Sequence, residues 1–176
     1  HNDARRQRQM CIRDSHNGIY ENPYTFSKDI GEQLCEMYYR VYGVETRICR
    51  FYNVYGDSQL TEGEYAAVVG IFLEQYKHNK PLTITGDGEQ RRDFTHVDDI
   101  VDGMFLSMSK EFGTYELGSG VNYSINELAN MFGEDYPKEY IEERVGEARE
   151  TLCKKPDLLL VKKNLEDLSL IHISEP

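Results

Sequence analysis

The stretch Val44–Gly56, VETRICRFYNVYG, decides the fold class of this chain. Its first seven residues alternate apolar or β-branched side chains with polar ones, which predicts a β-strand over residues 44–50. Three aromatic residues and one asparagine follow directly, in the run RFYNVYG. In an α/β sheet the residues just after a strand lie at the edge where ligands bind, so polar groups placed there are candidates for a functional site.

A helical pattern precedes this strand. Residues 25–42 carry apolar side chains at spacings of four, four and three, on one face of a helix: Ile30, Leu34, Tyr38 and Val41. Gly43 is suited to end that helix, and Ser124–Glu127 (SINE) is a capping box that predicts another helix start. The remaining predicted elements are helix Tyr65–Tyr76, strand Leu82–Thr85, helix Asp98–Ser109, strand Thr114–Leu117 and helix Leu158–Leu165. This alternation predicts an α/β fold.

The charge balance limits the classes of partner. The 176 residues include 31 acidic and 20 basic side chains, a net charge of −11. Such a chain repels nucleic-acid phosphates and anionic lipids, so we expect it to bind neither nucleic acid nor a membrane. No apolar run approaches the roughly 20 residues that span a bilayer. A local cluster of arginines can still bind a diphosphate.

Both ends of the chain resemble non-native sequence. Codons for residues 10–15 (MCIRDS) and for residues 168–173 (LSLIHI) can be written as reverse complements of each other, as a translated adapter would give. We therefore expect residues 1–15 and 168–176 to be adapter-derived tails, and residues 16–167 to form one domain.

No metal site is predicted. Cys35, Cys49 and Cys153 are widely spaced and form no CxxC motif, which favours the reduced cysteines of a cytoplasmic protein. His96 lies beside the acidic pair Asp98–Asp99, but those acids are expected to mark a helix start, where negative charge is favourable.

Tyr24 and Lys28 stand four residues apart at the start of the first predicted helix, so both project from one face. An ammonium group beside a phenol stabilises the phenolate, and a tyrosine so placed can exchange a proton with a substrate hydroxyl. The spacing alone is a weak signal, because Tyr76 and Lys80 repeat it. A solvated helix face is the alternative explanation of such a pair.

Four motifs in one order strengthen the catalytic interpretation: NPYTFSK (Asn22–Lys28), RFYNVYG (Arg50–Gly56), GDGEQRRDFTHVDD (Gly86–Asp99) and YELGSGVNYSINEL (Tyr115–Leu128). Over nearly all of residues 20–150 the chain resembles the extended short-chain dehydrogenase/reductase family, and within it the NAD-dependent nucleotide-sugar epimerases and dehydratases. The resemblance implies the C-terminal part of a Rossmann-type doubly wound parallel sheet plus a small α/β substrate-binding lobe. It also implies bound NAD, which is recycled while the sugar C4 hydroxyl is oxidised and reduced again.

The resemblance assigns roles near the cofactor. It makes Tyr24 the catalytic acid/base and Lys28 a ligand of the cofactor ribose. Tyr52 would lie against the nicotinamide end, and Asn53 would bind the diphosphate or sugar of the substrate. Core packing is the alternative for this aromatic run, and we expect it for Phe51.

The resemblance also assigns substrate-binding residues. Arg92 would bind the diphosphate, with Arg91 solvated. Arg144 matches a second diphosphate arginine, although Val145 replaces the usual proline, and a surface salt bridge is an equal alternative. The loop GEYAAVVGIF (Gly63–Phe72) would line the nucleotide pocket with Tyr65, Ala66 and Val68. Part of this loop is also expected to be the core face of a helix.

The sequence thus predicts C4 epimerisation of a UDP-sugar through a 4-keto intermediate, by an intact enzyme that is a homodimer. A nucleotide-sugar 4,6-dehydratase or decarboxylase of the same family is one alternative. An inactive fragment that at most binds a sugar nucleotide is another, because the chain holds no GxGxxG-type phosphate loop. The resemblance also places the active-site Ser or Thr upstream of Asn17, and Ser27 is a helix residue that does not replace it.

Overall fold

The computed structural model describes residues 23–63, 66–143 and 149–154. The helices in these ranges are α1 Pro23–Tyr42, α2 Val68–Lys77, α3 Val97–Met108 and α4 Ile125–Asn130. The strands are β1 Arg47–Phe51, β2 Val54–Tyr55, β3 Leu82–Thr85, β4 Arg91–Asp93, β5 Thr95–His96, β6 Gly113–Leu117, β7 Asn122–Ser124 and β8 Lys138–Ile141. The predicted α/β class is confirmed. The predicted helix Leu158–Leu165 and both predicted tails lie outside the described residues.

The β1–α3–β6 unit is the Rossmann-type part of the fold. β1 pairs in parallel with β6 over all five of its residues, and α3 packs against both strands. Parallel neighbours require a crossover of this kind, because the chain must return to the same end of the sheet. Ile100 of α3 and Leu117 of β6 are buried together in the core of this unit.

A second core joins α2, α4 and β3. Its fully buried side chains include Phe72, Leu82, Ile84 and Leu128. Each such side chain favours folding by about 1.5–3 kcal/mol relative to an exposed position. β3 pairs in parallel with β8, β2 in parallel with β5, and β4 in antiparallel with β7. These elements form the small α/β lobe.

The predicted capping box at Ser124 is confirmed. The Ser124 hydroxyl accepts from the Glu127 amide at 3.0 Å, and the Glu127 carboxylate accepts from the Ser124 amide at 2.7 Å. The latter bond favours the charged form and, with the Arg91 guanidinium nearby, lowers the pKa of Glu127. Two backbone donors at the start of α4 are thus satisfied reciprocally.

His96 and the acids that follow it serve the start of α3. His96 is the N-cap, and its Nδ1 accepts from the Asp98 amide at 3.2 Å, while Asp98 and Asp99 occupy the first turn. Within the described ranges no group of three or more His, Cys, Asp or Glu side chains is arranged to hold a metal ion.

The strand in the opening stretch is shorter at its start than predicted. Gly43 ends α1 with a φ of 67°, and its amide donates to the Tyr39 carbonyl while the Val44 amide donates to that of Tyr38. This left-handed cap uses the residues directly after the helix, so β1 begins only at Arg47.

The apolar face of α1 is present but exposed. Ile30, Leu34, Tyr38 and Val41 are between 38% and 64% exposed, and α1 contains no buried residue. None of the described helices is long and apolar enough to cross a membrane.

Candidate active site

The carboxyl ends of β1 and β6 meet at one edge of the fold, as expected for parallel strands. Tyr52 follows β1 and Gly118 follows β6. A Cβ at Gly118 would lie 3.0 Å from the Tyr52 ring and 2.3 Å from the Cys153 Cβ, so only glycine fits between them. This contact brings residue 153, far along the chain, to the predicted cofactor end of the site.

Asn53 has a positive φ of 24°, and its side chain is bonded within the protein. Its amide nitrogen donates to the Asp93 carbonyl at 3.0 Å and to the Thr151 hydroxyl at 2.9 Å. A ligand would therefore contact the Asn53 side chain through its Oδ1 oxygen. The amide also fixes the chain after β1 to β4, so Asn53 has a structural function that the sequence did not reveal.

Asp93 joins three segments of this edge and is fully buried. Its Oδ1 accepts from the amide and the hydroxyl of Ser119 at 2.9 and 2.6 Å. Its Oδ2 accepts from the amides of Gly120 and Cys153, both at 3.0 Å. A buried carboxylate is stable only with such donors, so Asp93 sets the position of the turn after β6.

The two arginines of β4 have different environments. Arg92 is only 7% exposed, and its Nη1 donates to the Arg91 carbonyl at 2.9 Å. Arg91 is not simply solvated as expected, because it donates to Asn122 and forms a 2.8 Å ion pair with Glu127. Its guanidinium is thus occupied in tying β4 to β7 and to the start of α4.

Tyr24 and Lys28 lie side by side in the first two turns of α1. The Lys28 Nζ is 5.3 Å from the centroid of the Tyr24 ring, and Tyr24 is 70% exposed. Ser27 donates its hydroxyl to the Tyr24 carbonyl at 2.7 Å, so it serves the helix backbone. The pair therefore shares one accessible face, as the spacing predicted.

The other predicted site residues are placed as follows. Ala66 is half-buried, and its amide donates to the Gly63 carbonyl at 3.2 Å. Val68 begins α2 and packs against the second core. Tyr65 and Arg144 lie outside the described residues. Phe51 is 48% exposed, so the expectation that it packs in the core is wrong for the described part of the chain.

A charged network beneath the site was missed by the sequence analysis. Arg50 donates from Nε and Nη2 to both oxygens of Glu32 at 2.8 and 2.6 Å. Its Nη1 is 3.6 Å from Glu116, and the Glu116 carboxylate accepts from the Tyr52 hydroxyl at 3.2 Å. The bonds to Glu32 outweigh the opposing effect of burial and raise the pKa of Arg50. Glu32 stands four residues after Lys28, on the same helix face, and this spacing was the sequence signal that could have pointed to the network.

A second ion pair fastens residue 149 to the turn after β3. Arg149 donates from both Nη atoms to the two oxygens of Asp87, at 2.7 and 2.6 Å. These bonds lower the pKa of Asp87 from its ordinary 3.8 to about 2. The pair therefore connects the segment around Arg149 to the turn between β3 and β4.

Replacing Asp87 by Asn is expected to remove a small, pH-dependent contribution to stability. The folded-state pKa of Asp87 is depressed, so the contribution is present in full above about pH 3.8 and is lost as the pH falls toward 2. Its exposure keeps the effect small. Thermal melts at pH 7 and pH 2.5 measure this. The Tm of Asp87→Asn should lie below that of the wild type at pH 7, and the difference should be smaller at pH 2.5. An equal difference at both pH values would contradict this origin.

Comparison with known proteins shows which family the chain resembles. The family model described as "NAD dependent epimerase/dehydratase family" matches residues 13–118. UDP-glucuronic acid decarboxylase 1 of Arabidopsis thaliana is 34% identical over 145 residues, which cover 81% of this chain and 33% of that protein.

Solved structures of epimerases are similar as well. UDP-glucose 4-epimerase of Thermotoga maritima, solved with UDP-glucose, has a TM-score of 0.71 and 33% identity, with 74% of this chain and 43% of that one covered. UDP-glucuronic acid 4-epimerase of Bacillus cereus, solved with UDP-glucuronic acid and NAD, has a TM-score of 0.72 and 26% identity, covering 88% and 52%.

The chain spans less than half the length of the curated relatives that it matches. The family model nevertheless covers more than half of the chain itself, and its match includes the Tyr24–Lys28 helix, the β1–α3–β6 unit and Asp93 of β4. The chain therefore belongs to the NAD-dependent epimerase/dehydratase family.

Proposed function

We propose that this chain is the C-terminal part of an NAD-dependent enzyme that epimerises a UDP-sugar at C4 through a 4-keto intermediate. The observation that carries the proposal is the adjacent, accessible pair of Tyr24 and Lys28 at the start of α1, in a chain of this family. Neither the sugar nor the whole enzyme's activity follows from the family alone, so both belong to the proposal.

Proton transfer is the task of Tyr24. Its phenolate oxygen accepts the proton of the sugar C4 hydroxyl as the C4–H bond breaks, and returns it when the 4-keto group is reduced on the other face. The Lys28 ammonium, next to the ring, stabilises the phenolate. General acid–base catalysis of this kind contributes about 10²–10⁴-fold to a rate.

The residues present fit the ribose and nicotinamide end of NAD. Lys28 offers ammonium donors and Tyr24 a phenol oxygen on one exposed helix face, where ribose hydroxyls can bond to both, and Tyr52 lies at the strand edge next to Gly118. NAD bound there would accept the hydride from C4 and later return it. The sequence contains no glycine-rich loop for the cofactor pyrophosphate, so we propose that these 176 residues alone do not turn over substrate.

The nucleotide diphosphate is proposed to bind beside β4. Arg92 supplies a buried guanidinium fork there, and Asn53, bonded to the neighbouring Asp93, presents its side-chain oxygen from the end of β1. Arg144 and the pocket residues Tyr65, Ala66 and Val68 complete the proposed substrate side. We also propose that the intact enzyme is a cytoplasmic homodimer, which would cover the exposed apolar face of α1.

A UDP-sugar decarboxylase is the second candidate, favoured by the similarity to the Arabidopsis enzyme over 81% of this chain. A 4,6-dehydratase is the remaining alternative within the family. The candidates share oxidation at C4 and differ in the fate of the keto sugar. The proposed acid/base pair would serve all of them equally, so products must separate the candidates.

The test uses the full-length protein that the upstream coding sequence supplies. UDP-glucose, UDP-N-acetylglucosamine and UDP-glucuronate are followed by proton NMR without added NAD. Appearance of the C4 epimer supports the proposal. A pentose product from UDP-glucuronate would assign a decarboxylase, and a 4-keto-6-deoxy product a dehydratase. No conversion of any of the three would contradict the substrate class.

Replacing Arg92 by Lys should weaken UDP binding. Lysine keeps the charge but loses the planar fork that binds a diphosphate through two parallel bonds, so the Kd is expected to rise about tenfold to thirtyfold. Isothermal titration of UDP into the 176-residue chain measures this. Arg91→Lys is the matched control, because the Arg91 guanidinium already binds Asn122 and Glu127. Equal losses in both variants would argue against a specific contact of Arg92 with the diphosphate.

A further inference from the structure

The helix that carries Tyr24 and Lys28, α1, packs against the strands through its more polar face. The less exposed residues of α1 include Thr25, Asp29, Glu32 and Cys35, whereas its apolar side chains face outward. A helix attached in this way has little apolar burial to fix its rotation about its own axis. Individual polar contacts therefore decide where its first turns point.

The strongest of these contacts in the described residues is the pair of Arg50 and Glu32. It is bidentate, at 2.8 and 2.6 Å, and both side chains are less than one-fifth exposed. Two parallel bonds fix orientation as well as distance, because the guanidinium and the carboxylate must be coplanar. The far end of α1 is held separately, by stacking of Tyr39 on Phe112 with ring centroids 4.0 Å apart.

Tyr24, Lys28 and Glu32 follow each other at intervals of four residues and so form one stripe along α1. Each interval is about 6 Å of helix at 1.5 Å per residue. We propose that Arg50 and Glu32 are positioning residues, whose ion pair sets the rotation of α1 and thereby holds Tyr24 and Lys28 toward the reacting sugar. This inference rests on the function proposed above.

The same arginine connects the helix to the proposed cofactor end. Arg50 lies between Glu32 on α1 and Glu116 on β6, and Glu116 accepts the hydroxyl hydrogen bond of Tyr52. A displacement of α1 would therefore be transmitted to Tyr52 through three links: the Glu32–Arg50 pair, the Arg50–Glu116 ion pair and the Glu116–Tyr52 hydrogen bond. The network aligns the acid/base pair with the aromatic residue at the strand edge.

The first test is kinetic and uses the full-length enzyme with Arg50→Lys and Glu32→Gln. We expect kcat to fall at least tenfold, because small misplacements of reacting groups cost this much or more. The KM for the UDP-sugar should stay within about twofold, since Asn53 and Arg92 are unchanged. The low-pH limb of kcat should move upward by about half a pH unit, because Tyr24 and Lys28 move together with the displaced helix and the Tyr24 phenolate would then lie farther from the positive charge of bound, oxidised nicotinamide.

Arg47→Lys is the matched control, since Arg47 lies on the same strand and donates to Lys110 and Glu45 outside this network. It should leave kcat and its pH limb unchanged. Mere destabilisation would lower activity equally at every pH and leave the limb in place. Wild-type kcat and an unmoved limb in both Arg50→Lys and Glu32→Gln would overturn the inference, whereas an inactive wild type would overturn the proposed function instead.

The second test is independent of activity and uses the 176-residue chain. Amide hydrogen exchange in Arg50→Lys should be at least tenfold faster over residues 27–32, where the helical bonds of α1 begin to protect the amides, with residues 36–42 unchanged because the stack on Phe112 remains. Unchanged protection of residues 27–32 would overturn the inference whatever the enzyme does. Equal loss along the whole helix would also overturn it, because that pattern indicates general destabilisation.

Discussion

Tyr24→Phe in the full-length enzyme is expected to lower kcat for C4 epimerisation by about 10²–10⁴-fold. The substitution keeps the ring beside Lys28 but removes the hydroxyl that exchanges the substrate proton. Because Tyr24 is 70% exposed on α1, its hydroxyl contributes little to folding, and the melting temperature should stay close to wild type. Proton NMR of the UDP-sugar measures the rate.

Tyr76→Phe is the control for this prediction. Tyr76 precedes Lys80 at the same spacing, but α2 ends at Lys77, so the second pair does not share a helix face. Its ring packs against Phe132 and Tyr136, with centroids 5.6 and 4.9 Å away. Phenylalanine preserves these contacts, and activity should be retained. A Tyr24→Phe enzyme with more than a tenth of wild-type kcat would rule out Tyr24 as the acid/base.

Asp93→Asn is expected to lower the free energy of unfolding of the 176-residue chain by about 3 kcal/mol or more. Each carboxylate oxygen of Asp93 accepts two hydrogen bonds, from the Ser119 amide and hydroxyl and from the amides of Gly120 and Cys153. Asparagine would turn an NH₂ group toward two of these donors in a fully buried position. Urea denaturation followed by circular dichroism measures the loss.

Asp102→Asn provides the matched comparison. It makes the same chemical change on the exposed part of α3, where surface substitutions usually cost within about 0.5 kcal/mol. If Asp93→Asn were as stable as Asp102→Asn, the four bonds to Asp93 would not hold the turn after β6. A milder variant, Ser119→Ala, removes one of the four bonds to Asp93 together with the hydroxyl's contacts with Val121, and should give a smaller loss in the same direction.

Local rules predicted the helices and the longer strands of the described residues, whereas β2, β4, β5, β7 and β8 were not predicted. The capping box at Ser124, the end of α1 at Gly43 and the strand Leu82–Thr85 are all confirmed, because each depends on bonds or periodicity within a few residues. The shared face of Tyr24 and Lys28 is also a local property, since four residues make about one helical turn. The predicted roles of the site residues remain predictions.

Burial was predicted less well than secondary structure. The apolar periodicity of α1 identified a helix, but Leu34 and Tyr38 are about half exposed, and so is Phe51 at the end of β1. Periodicity shows which face of an element is apolar and does not show what covers that face. Within the described residues, polar contacts from Glu32 hold α1 to the strands instead.

The sequence by itself determined the α/β class, the four helices and the strands β1, β3 and β6 of the described residues, and the pair Tyr24 and Lys28. Only the tertiary structure decided which distant residues meet: Arg50 with Glu32, Asn53 with Thr151, and Asp93 with Cys153, separated by 18, 98 and 60 positions. The physical reason is that local bonding preferences act over one or two turns of chain. Partners brought together by strand pairing and core burial depend on the whole fold, and no short-range pattern records them.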